Sequence, residues 1–270
     1  MEDPEFNFDA LINIEENESY KKVLHEELSR GSSFSRAHAV AAEKILPGSF
    51  NFLSKPNNLL ALSYIQEVKK NNFNLGINFI KREGNFKSKI IREDFQKNFP
   101  MLPDYSQEIL LKAHEAGRIS KIEKFWPLLQ NIFIRTSPEE LRNIHGIDEG
   151  IENLFLKNWQ SSENLEDFIG RCVCARYTRA HIRRRLIYIL LNLKRFDEKS
   201  ASYVRVLAFN DKGREILRNC SKSSDIKFIT RLKDSGTNFF TEVEVRASQL
   251  YELSQKNPNF KRELNKILFL

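Results

Sequence analysis

The spacing of hydrophobic residues over the first eighty positions predicts three helices and then a strand. Segments 18–31, 33–46 and 55–71 repeat apolar residues at helical intervals, and each ends at a glycine, a Pro-Gly pair or a run of lysines. Segment 75–82 predicts a strand that ends in two basic residues. A helix followed by a strand is typical of one unit of a parallel sheet, which needs more strands than this segment supplies. Residues 7–100 are therefore predicted to be the trailing part of an α/β domain.

The hydrophobic pattern becomes almost entirely helical from residue 104 to residue 193. Pro127 lies inside an apolar segment and must kink or restart its helix, because proline cannot donate the backbone hydrogen bond. Ser137 and Glu140 have the spacing of a capping box, which predicts the start of another helix. Further apolar repeats on both sides of these positions predict several more short helices.

Residues 176–193 are predicted to form one helix with a buried stripe and a charged border. Arg176, Arg179 and Arg183 lie along one border of the stripe, whereas Arg184 points away from the core. The apolar residues of the stripe recur at helical intervals: Ile182, Leu186, Ile189, Leu190 and Leu193. The second half of this helix is thus expected to hold it in the core, while the first half presents guanidinium groups.

The last seventy residues change character and predict a small βαβ-like element. Segments 203–209 and 226–232 have the composition of strands, and a helical segment at 211–220 lies between them. A final helix is predicted over 239–255. The predicted fold class is therefore α+β and mainly helical, with residues 101–270 forming a mostly helical basic domain.

The distribution of charge along the chain is more informative about function than the net charge. The net charge of the whole chain is +7, but residues 171–270 alone carry 22 basic and 10 acidic residues. Six arginines and no lysine lie within residues 171–185; we call this set the arginine cluster: Arg171, Arg176, Arg179, Arg183, Arg184 and Arg185. So much positive charge at one end of the chain favours a polyanionic partner such as RNA.

Three interpretations of the arginine cluster are open from the sequence. It can be a surface that binds RNA phosphates, a helix that lies on a membrane surface, or a solvated helix face whose arginines pair with the acidic region 139–167. Arginine forks bind phosphate oxygens in pairs and stack on bases, which favours the first interpretation. Tyr177 is a candidate to stack on a base, and His181 is a candidate donor that titrates near neutrality.

Other classes of protein are disfavoured by composition. Three cysteines make a poor disulfide framework, and the pair Cys172 and Cys174 has no second pair that would complete a zinc site. No apolar run is long enough to span a bilayer, so a cytoplasmic protein with no membrane partner is expected. Residues 1–6, MEDPEF, are interpreted as a vector-derived leader.

A set of motifs resembles one enzyme family in order and in content. The segments HGIDEGIENLFLKN (145–158), RYTRAHIRRR (176–185) and YVRVLAFNDKGREIL (203–217) resemble the bacterial tRNA(Met) cytidine acetate ligases, which are nucleotidyltransferase-like. The earlier segments GSSFSRAHAVA (31–41) and KPNNLLALSYI (55–65) extend the resemblance. The resemblance runs from about residue 15 to about residue 255 and depends on the order of the motifs, since no single motif would carry it.

The resemblance implies a reaction, its substrates and the residues that bind them. The family uses ATP, for which Mg²⁺ is the expected cofactor, to convert acetate into acetyl-adenylate and pyrophosphate. It then transfers the acetyl group to N4 of the wobble cytidine of elongator tRNA(Met).

 

The same resemblance assigns roles to single residues. It places Asn57, Arg82 and Arg92 at the ATP, with Asn57 at a helix start and Arg82 at the end of a strand, where α/β folds bind ligands. It assigns the basic helix to tRNA, and the residues expected to bind tRNA are Arg171, Arg176, Tyr177, Arg179, Arg183 and Arg184. No residue is assigned to a metal, and the catalytic residues stay unknown.

The sequence also departs from the family pattern, which leaves alternatives open. None of the five histidines lies in the H-x-G-H pattern of the family, so the chain is expected to lack that part and to supply tRNA binding with only part of the ATP site. The first alternative is a degenerate homologue that binds RNA or a protein partner without catalysis. The second is a nucleotidyltransferase with another acceptor.

Overall fold

The computed structural model describes residues 6–7, 9–80, 95–174, 176–197, 203–236, 238–265 and 268–269. The chain forms two compact units. The first comprises Met1–Leu102 with Cys174–Arg176, and the second comprises Pro103–Val173 with Tyr177–Leu270.

The first unit is helical wherever the structure describes it. Helix α2 packs against α3, and α4 connects α3 to α5. The bounds of its helices are α1 Asp9–Ile12, α2 Glu18–Ser29, α3 Phe34–Ile45, α4 Ser49–Leu53, α5 Pro56–Lys70 and α6 Phe95–Asn98. The three long helices confirm the segments predicted at 18–31, 33–46 and 55–71.

Local sequence explains where these helices start and end. Asn17 caps α2, because its side chain accepts a hydrogen bond from the backbone N–H of Tyr20 at 3.1 Å. Gly48 has a φ of 89°, a left-handed conformation that glycine adopts without a steric cost, and it separates α3 from α4. Pro56 occupies the first turn of α5, where its missing N–H costs nothing.

The core of the first unit is small, and α3 contributes three alanines to it, which lets the neighbouring helices approach closely. Tyr20 and Phe52 are its largest fully buried residues. The residues packed together there are Leu11, Ile14, Tyr20, Ala39, Ala41, Ala42, Phe52, Leu53 and Leu62. Phe6 stacks on Phe52 with ring centroids 4.5 Å apart, so the last residue of the segment 1–6 packs against this core.

The strand predicted over 75–82 is not present in its described part. Residues 74–80 lie outside any helix or strand. A strand needs a neighbour to pair with, and the described residues of this unit contain no other strand. Leu75 and Ile80 are 62% and 84% exposed, so burial does not stabilise this segment either. Residues 81 and 82 lie outside the described residues.

The second unit contains most of the helices and all of the strands that the structure describes. Its helices are α7 Asp104–Glu115, α8 Trp126–Arg135, α9 Pro138–Arg142, α10 Ile151–Asn158, α11 Leu165–Cys172, α12 Arg179–Leu190, α13 Asp211–Ser223, α14 Phe239–Leu253 and α15 Arg262–Asn265. Pro127 lies in the first turn of α8, directly after a short 3₁₀ turn at Ile122–Phe125, which confirms that it restarts the helix. The predicted capping box is also confirmed, since Ser137 and Glu140 bond to each other's backbone N–H at 3.2 and 2.8 Å.

One aromatic and aliphatic core joins α8 to α12. Phe133, Phe155 and Phe168 come from three different helices, and their ring centroids lie 5.5–6.2 Å apart. Helix α12 contributes Ile182 and Leu186, both fully buried, as the predicted stripe requires. Burying one such large side chain stabilises a fold by about 1.5–3 kcal/mol, so this core dominates the stability of the region.

The predicted βαβ element is confirmed, with short strands. Strand β1 (Tyr203–Arg205) pairs in parallel with β3 (Lys227–Ile229), and α13 lies between them in the sequence. Strand β2 (Ala208–Phe209) pairs in parallel with β4 (Leu268–Phe269). The fold is therefore mostly helical with small parallel strand pairs, as the predicted α+β class requires.

No helix of the described residues is long and apolar enough to cross a membrane.

Candidate functional site

The arginine cluster spans two helices and the segment between them, not one helix. Helix α12 begins at Arg179, because Thr178 is its N-cap and accepts a hydrogen bond from the N–H of His181 at 3.3 Å. The expected helix over 176–193 is therefore wrong at its start, and Arg176 precedes the helix. Arg171 lies at the end of α11. The side chain of Thr178 accepts the hydrogen bond from the N–H of His181, so the helix starts after Thr178 and does not extend back to Arg176.

Three arginines of the cluster already have carboxylate partners. Glu166 of α11 pairs with both Arg179 and Arg183 of α12, and the second of these contacts is 2.7 Å long. Arg171 pairs with Asp167 at 2.9 Å. Two hydrogen bonds lower the pKa of the Asp167 carboxyl below its usual range: the one from Arg171 has the larger effect, and the one from the backbone N–H of Glu163 has the smaller. The partners fall in the acidic region 139–167, as the interpretation of a paired helix face expects.

The consecutive arginines 183–185 serve three different purposes. Arg183 faces Glu166, as described, and Arg184 is exposed and forms no ion pair with any described residue. Arg185 donates from Nε to the carbonyl of Gly146 at 3.0 Å. Gly146 has a φ of 69°, and a Cβ on it would lie 3.2 Å from the Arg185 guanidinium. A glycine is therefore needed here for both backbone and packing reasons.

Tyr177 lies in the core instead of on the surface. Its side chain is only 4% exposed, and its hydroxyl donates a hydrogen bond to the carbonyl of Glu149 at 2.8 Å. In this position its ring is not placed to stack on a base. Together with Arg185, Tyr177 attaches the start of α12 to the loop 146–150. The two motifs of the sequence, EGIEN and RYT, are thus joined by one direct hydrogen bond, from Tyr177 to Glu149.

His181 occupies the first turn of α12, beside the ring of Tyr177 at 5.3 Å between centroids. Burial lowers the pKa of His181, and the neighbouring charges of Arg185 and Arg184 lower it further. Asp148 and Glu149 act in the opposite direction, with a smaller effect. The neutral imidazole is therefore favoured, and it can accept or donate a hydrogen bond at neutral pH.

The EGIEN segment contains a buried carboxylate that the sequence analysis did not single out. Glu152 is 2% exposed and accepts a hydrogen bond from Nε of Arg142 at 2.9 Å. Its second oxygen has no hydrogen-bond partner among the described residues. No pattern in the sequence distinguishes this glutamate from its exposed neighbours, because only the packing of α9 against α10 buries it.

The residues expected at ATP are only partly described. Asn57 lies in the first turn of α5, after Pro56, and it is half-buried. The N-cap of this helix is Lys55, so Asn57 is not a cap. Its neighbour Asn58 is fully buried and donates to the carbonyl of Phe52 at 3.1 Å, which fixes the helix start. Arg82 and Arg92 lie outside the described residues.

A buried tyrosine and histidine lie beside the motif segment 31–41 in the first unit. The hydroxyl of Tyr20 is 2.5 Å from Nδ1 of His38. Burial lowers the pKa of His38 and raises the pKa of Tyr20 to about 12. Both groups are therefore neutral over the physiological range, so this pair is a core hydrogen bond that joins α2 to α3.

Comparison with known proteins gives a consistent result along nearly the whole chain. A family model described as HIGH nucleotidyl transferase matches residues 2–266. The tRNA(Met) cytidine acetate ligase of Thermoanaerobacter sp. strain X514 is 32% identical, over 92% of this chain and 68% of that protein. The ligase of Acetivibrio thermocellus is 30% identical, over 94% of this chain and 70% of that protein.

A solved structure has the same fold. The crystal structure of Thermotoga maritima TmcAL bound with alpha-thio ATP matches with a TM-score of 0.80 and 25% identity, over 97% of this chain and 72% of that one. The apo form of the same protein matches equally well. Since the family model spans residues 2–266, the matches do not support the expectation that an N-terminal part of the family is missing.

Proposed function

The chain belongs to the HIGH nucleotidyl transferase family, and from that premise we propose that it takes part in the ATP-dependent acetylation of cytidine in tRNA(Met). The observation that carries this proposal is the identity of about 30% with tRNA(Met) cytidine acetate ligases over more than nine-tenths of the chain. The likeness to a structure that binds an ATP analogue supports ATP as the co-substrate.

The proposed reaction has two steps. A carboxylate oxygen of acetate attacks the α-phosphorus of ATP, and pyrophosphate leaves. The N4 amine of the cytidine then attacks the acetyl carbon, AMP leaves with the bonding electrons, and the nitrogen loses one proton to solvent. Adenylation is needed because acetate itself has no adequate leaving group. Mg²⁺ is proposed to accompany ATP, since phosphate oxygens are its preferred ligands together with carboxylates and water.

In the first unit, we assign ATP binding to Asn57, Arg82 and Arg92. Asn57 suits this role because it lies in the first turn of the fifteen-residue helix α5, whose positive end favours phosphate. Asn58 holds that turn against the core and is therefore a positioning residue, not a ligand.

We also assign tRNA phosphates to the exposed part of the arginine cluster, namely Arg171, Arg179, Arg183 and Arg184 of the second unit and Arg176, which belongs to the first unit. All five are exposed and follow one another over fourteen positions of a basic segment. The ion pairs of Glu166 hold Arg179 and Arg183 in place with exposed guanidinium edges. Tyr177 and Arg185 contribute by fixing the start of α12.

The experiment that tests RNA binding is a salt series. Elongator tRNA(Met) and a DNA duplex are titrated against the chain and against the triple variant Arg176/Arg179/Arg183→Ala. We expect tighter binding of tRNA than of DNA, and a loss of both affinity and salt slope in the variant, because each phosphate contact contributes to that slope. The exposed residues Arg118, Lys121 and Lys157 offer a control with the same loss of charge, Arg118/Lys121/Lys157→Ala, which should change binding less. Equal binding of tRNA and DNA, or an unaffected triple variant, would count against the assignment.

A second candidate function is RNA binding without catalysis. It is favoured by the observation that no histidine of the sequence lies in an H-x-G-H pattern. Acetate-dependent exchange of labelled pyrophosphate into ATP separates the two functions. Exchange that Asn57→Ala reduces supports the ligase, whereas tRNA binding with no exchange supports the second candidate.

A further inference from the structure

The second unit contains a cavity that neither the motifs nor the relatives assign. It has a volume of about 520 Å³ and lies where the ends of α8 and α12 meet α9. Sites for small molecules commonly have volumes of about 300–1,000 Å³ and combine an apolar surface with a few polar groups. In this cavity Ile132, Ile144 and Leu190 supply apolar surface. Its charged lining residues are Arg135, Lys194 and one carboxylate, Glu140.

The walls of the cavity are held together by backbone hydrogen bonds. Ile144 and Lys194 form an antiparallel bridge between two segments that are distant in the sequence. His145 donates to the carbonyl of Leu193 at 2.7 Å, and Arg195 donates to that of Asn143 at 3.3 Å. These hydrogen bonds fix segments 143–145 and 193–195 relative to each other, so the cavity side chains that these segments carry are held in place.

Glu140 also lines the cavity, and its carboxylate accepts a hydrogen bond from the N–H of Ser137 at 2.8 Å, whereas the other polar side chains of the cavity are not used elsewhere in the fold. Arg135, Thr136, Asn143, Asn192 and Lys194 form no side-chain hydrogen bond or ion pair with any residue that the structure describes. The neighbouring arginines differ. Arg142 pairs with Glu152, Arg195 donates to two carbonyls, and Arg246 donates to the end of α12. Arg135 and Lys194 thus remain available to a ligand.

We propose that this cavity binds one nucleotide of an RNA, with its phosphate on Arg135 and Lys194. An arginine fork and a lysine ammonium are the usual partners of phosphate oxygens. The amides of Asn143 and Asn192 each offer donors and an acceptor, which is what the edge of a base requires. The apolar surface suits the face of the base.

The position of the cavity favours RNA as the source of this nucleotide, and this choice rests on the proposed function. Arg179, Arg183 and Leu190 lie at intervals of four and seven along α12, so they share one side of the helix. At 1.5 Å per residue, Arg183 and Leu190 are separated by about 10 Å along the axis. A single strand that follows the arginine cluster would therefore reach the cavity within a few nucleotides.

Both cations are needed for this role. Helix C-termini carry partial negative charge, α8 and α12 both end at the cavity, and the carboxylate of Glu140 also lines it. Without Arg135 and Lys194 the cavity would repel a phosphate. The test therefore removes both charges at once and compares the result with an equal loss of charge elsewhere.

The experiment measures binding of cytidine 5′-monophosphate, cytidine and inorganic phosphate to the full chain. We expect the monophosphate to bind at least tenfold more tightly than either of its parts. The double variant Arg135/Lys194→Ala should weaken it tenfold or more, whereas the control Arg118/Lys121→Ala should change it less than twofold. Thr136→Trp, which narrows the cavity without changing charge, should also weaken binding, and Thr136→Ser should not. Binding that neither the double variant nor Thr136→Trp changes overturns the proposal.

A competition with tRNA separates the two sources of the nucleotide. If the cavity takes a nucleotide of RNA, saturating tRNA displaces the bound monophosphate, and Arg135/Lys194→Ala weakens tRNA binding. If the monophosphate remains bound in the presence of tRNA, RNA is overturned as the source. If the chain binds no tRNA but binds the monophosphate through Arg135 and Lys194, the proposed function fails while the nucleotide site stands. If the salt series succeeds and the monophosphate does not bind, only the site fails.

Discussion

The two ends of helix α12 carry similar charge but use it differently. At its start, Arg179 and Arg183 are bridged by the single carboxylate of Glu166. Beyond its end, Lys194 lines a cavity with Arg135 of α8, and neither cation has a carboxylate partner among the described residues. The formal charge of a segment therefore does not equal the charge that it offers to a ligand.

This difference follows from what each end packs against. The start of α12 packs against α11. The first turn of α11 contains Glu166 and Asp167, whose negative charges are stabilised by the positive end of that helix. The far end lies against the end of α8, which carries the basic Arg135. The arginines that are most visible in the sequence are thus partly neutralised, whereas two isolated cations are not. Four predictions test how far this comparison holds.

The largest effect is expected from the buried side of α12, because it supports both ends. Leu186 is fully buried, and Leu186→Ala should lower the free energy of unfolding by about 2–5 kcal/mol through lost burial and a cavity. Urea denaturation followed by circular dichroism measures this loss. The exposed Ile187 provides a control, since Ile187→Ala should cost much less. Similar losses in the two variants would mean that α12 is not anchored by its stripe.

The next effect concerns RNA affinity at the start of the helix. Arg179/Arg183→Ala should weaken tRNA binding about tenfold at low salt and lower the magnitude of the salt slope by roughly 1–2, since two phosphate contacts are lost. The stability of the fold should change little, because exposed ion pairs contribute about 0–1 kcal/mol. Filter binding over a salt series provides the measurement. A variant that loses stability but keeps its affinity would show that these arginines are structural.

A smaller effect of opposite sign is expected from Glu166→Gln. This change removes the carboxylate that competes with phosphate for both arginines, so tRNA affinity should rise by a few fold. Glu163→Gln removes one negative charge nearby without breaking an ion pair and is the matched control. A decrease in affinity would show that Glu166 acts mainly by positioning Arg179 and Arg183 for the phosphates, and not by competing with the phosphates for them.

The smallest effect is a pH dependence at His181. Burial, followed by Arg185 and Arg184, lowers the pKa of His181 below its ordinary value of 6.5. As the pH drops below about 6.5, His181 is protonated in the unfolded chain but still neutral in the folded chain, which favours unfolding. The free energy of unfolding should therefore fall until the pH has passed the lower pKa of the folded state. Arg184→Gln should raise this pKa, which an NMR titration of the imidazole detects. An unchanged pKa would mean that Arg184 does not act on His181.

Helix boundaries were predictable wherever a local capping signal was present. The Ser137–Glu140 capping box and the restart at Pro127 need only neighbouring residues, and both are confirmed. The start of α12 was misplaced because Thr178 was not recognised as a cap, although the information was local. The strand over 75–82 was a different kind of error, since a strand is stabilised by pairing with distant residues.

The amino-acid sequence by itself determined most of the helices, the core stripe of α12, the order strand, helix, strand over 203–232 and the family resemblance. These depend on periodicity, caps and the order of motifs, which are properties of neighbours along the chain. Only the tertiary structure decided that Tyr177 is buried, that Glu166 pairs with two arginines and that Arg135 and Lys194 line the same cavity. Each of these depends on which helices pack together, and electrostatic interactions act through space, so the positions of charges in the sequence do not determine which of them meet.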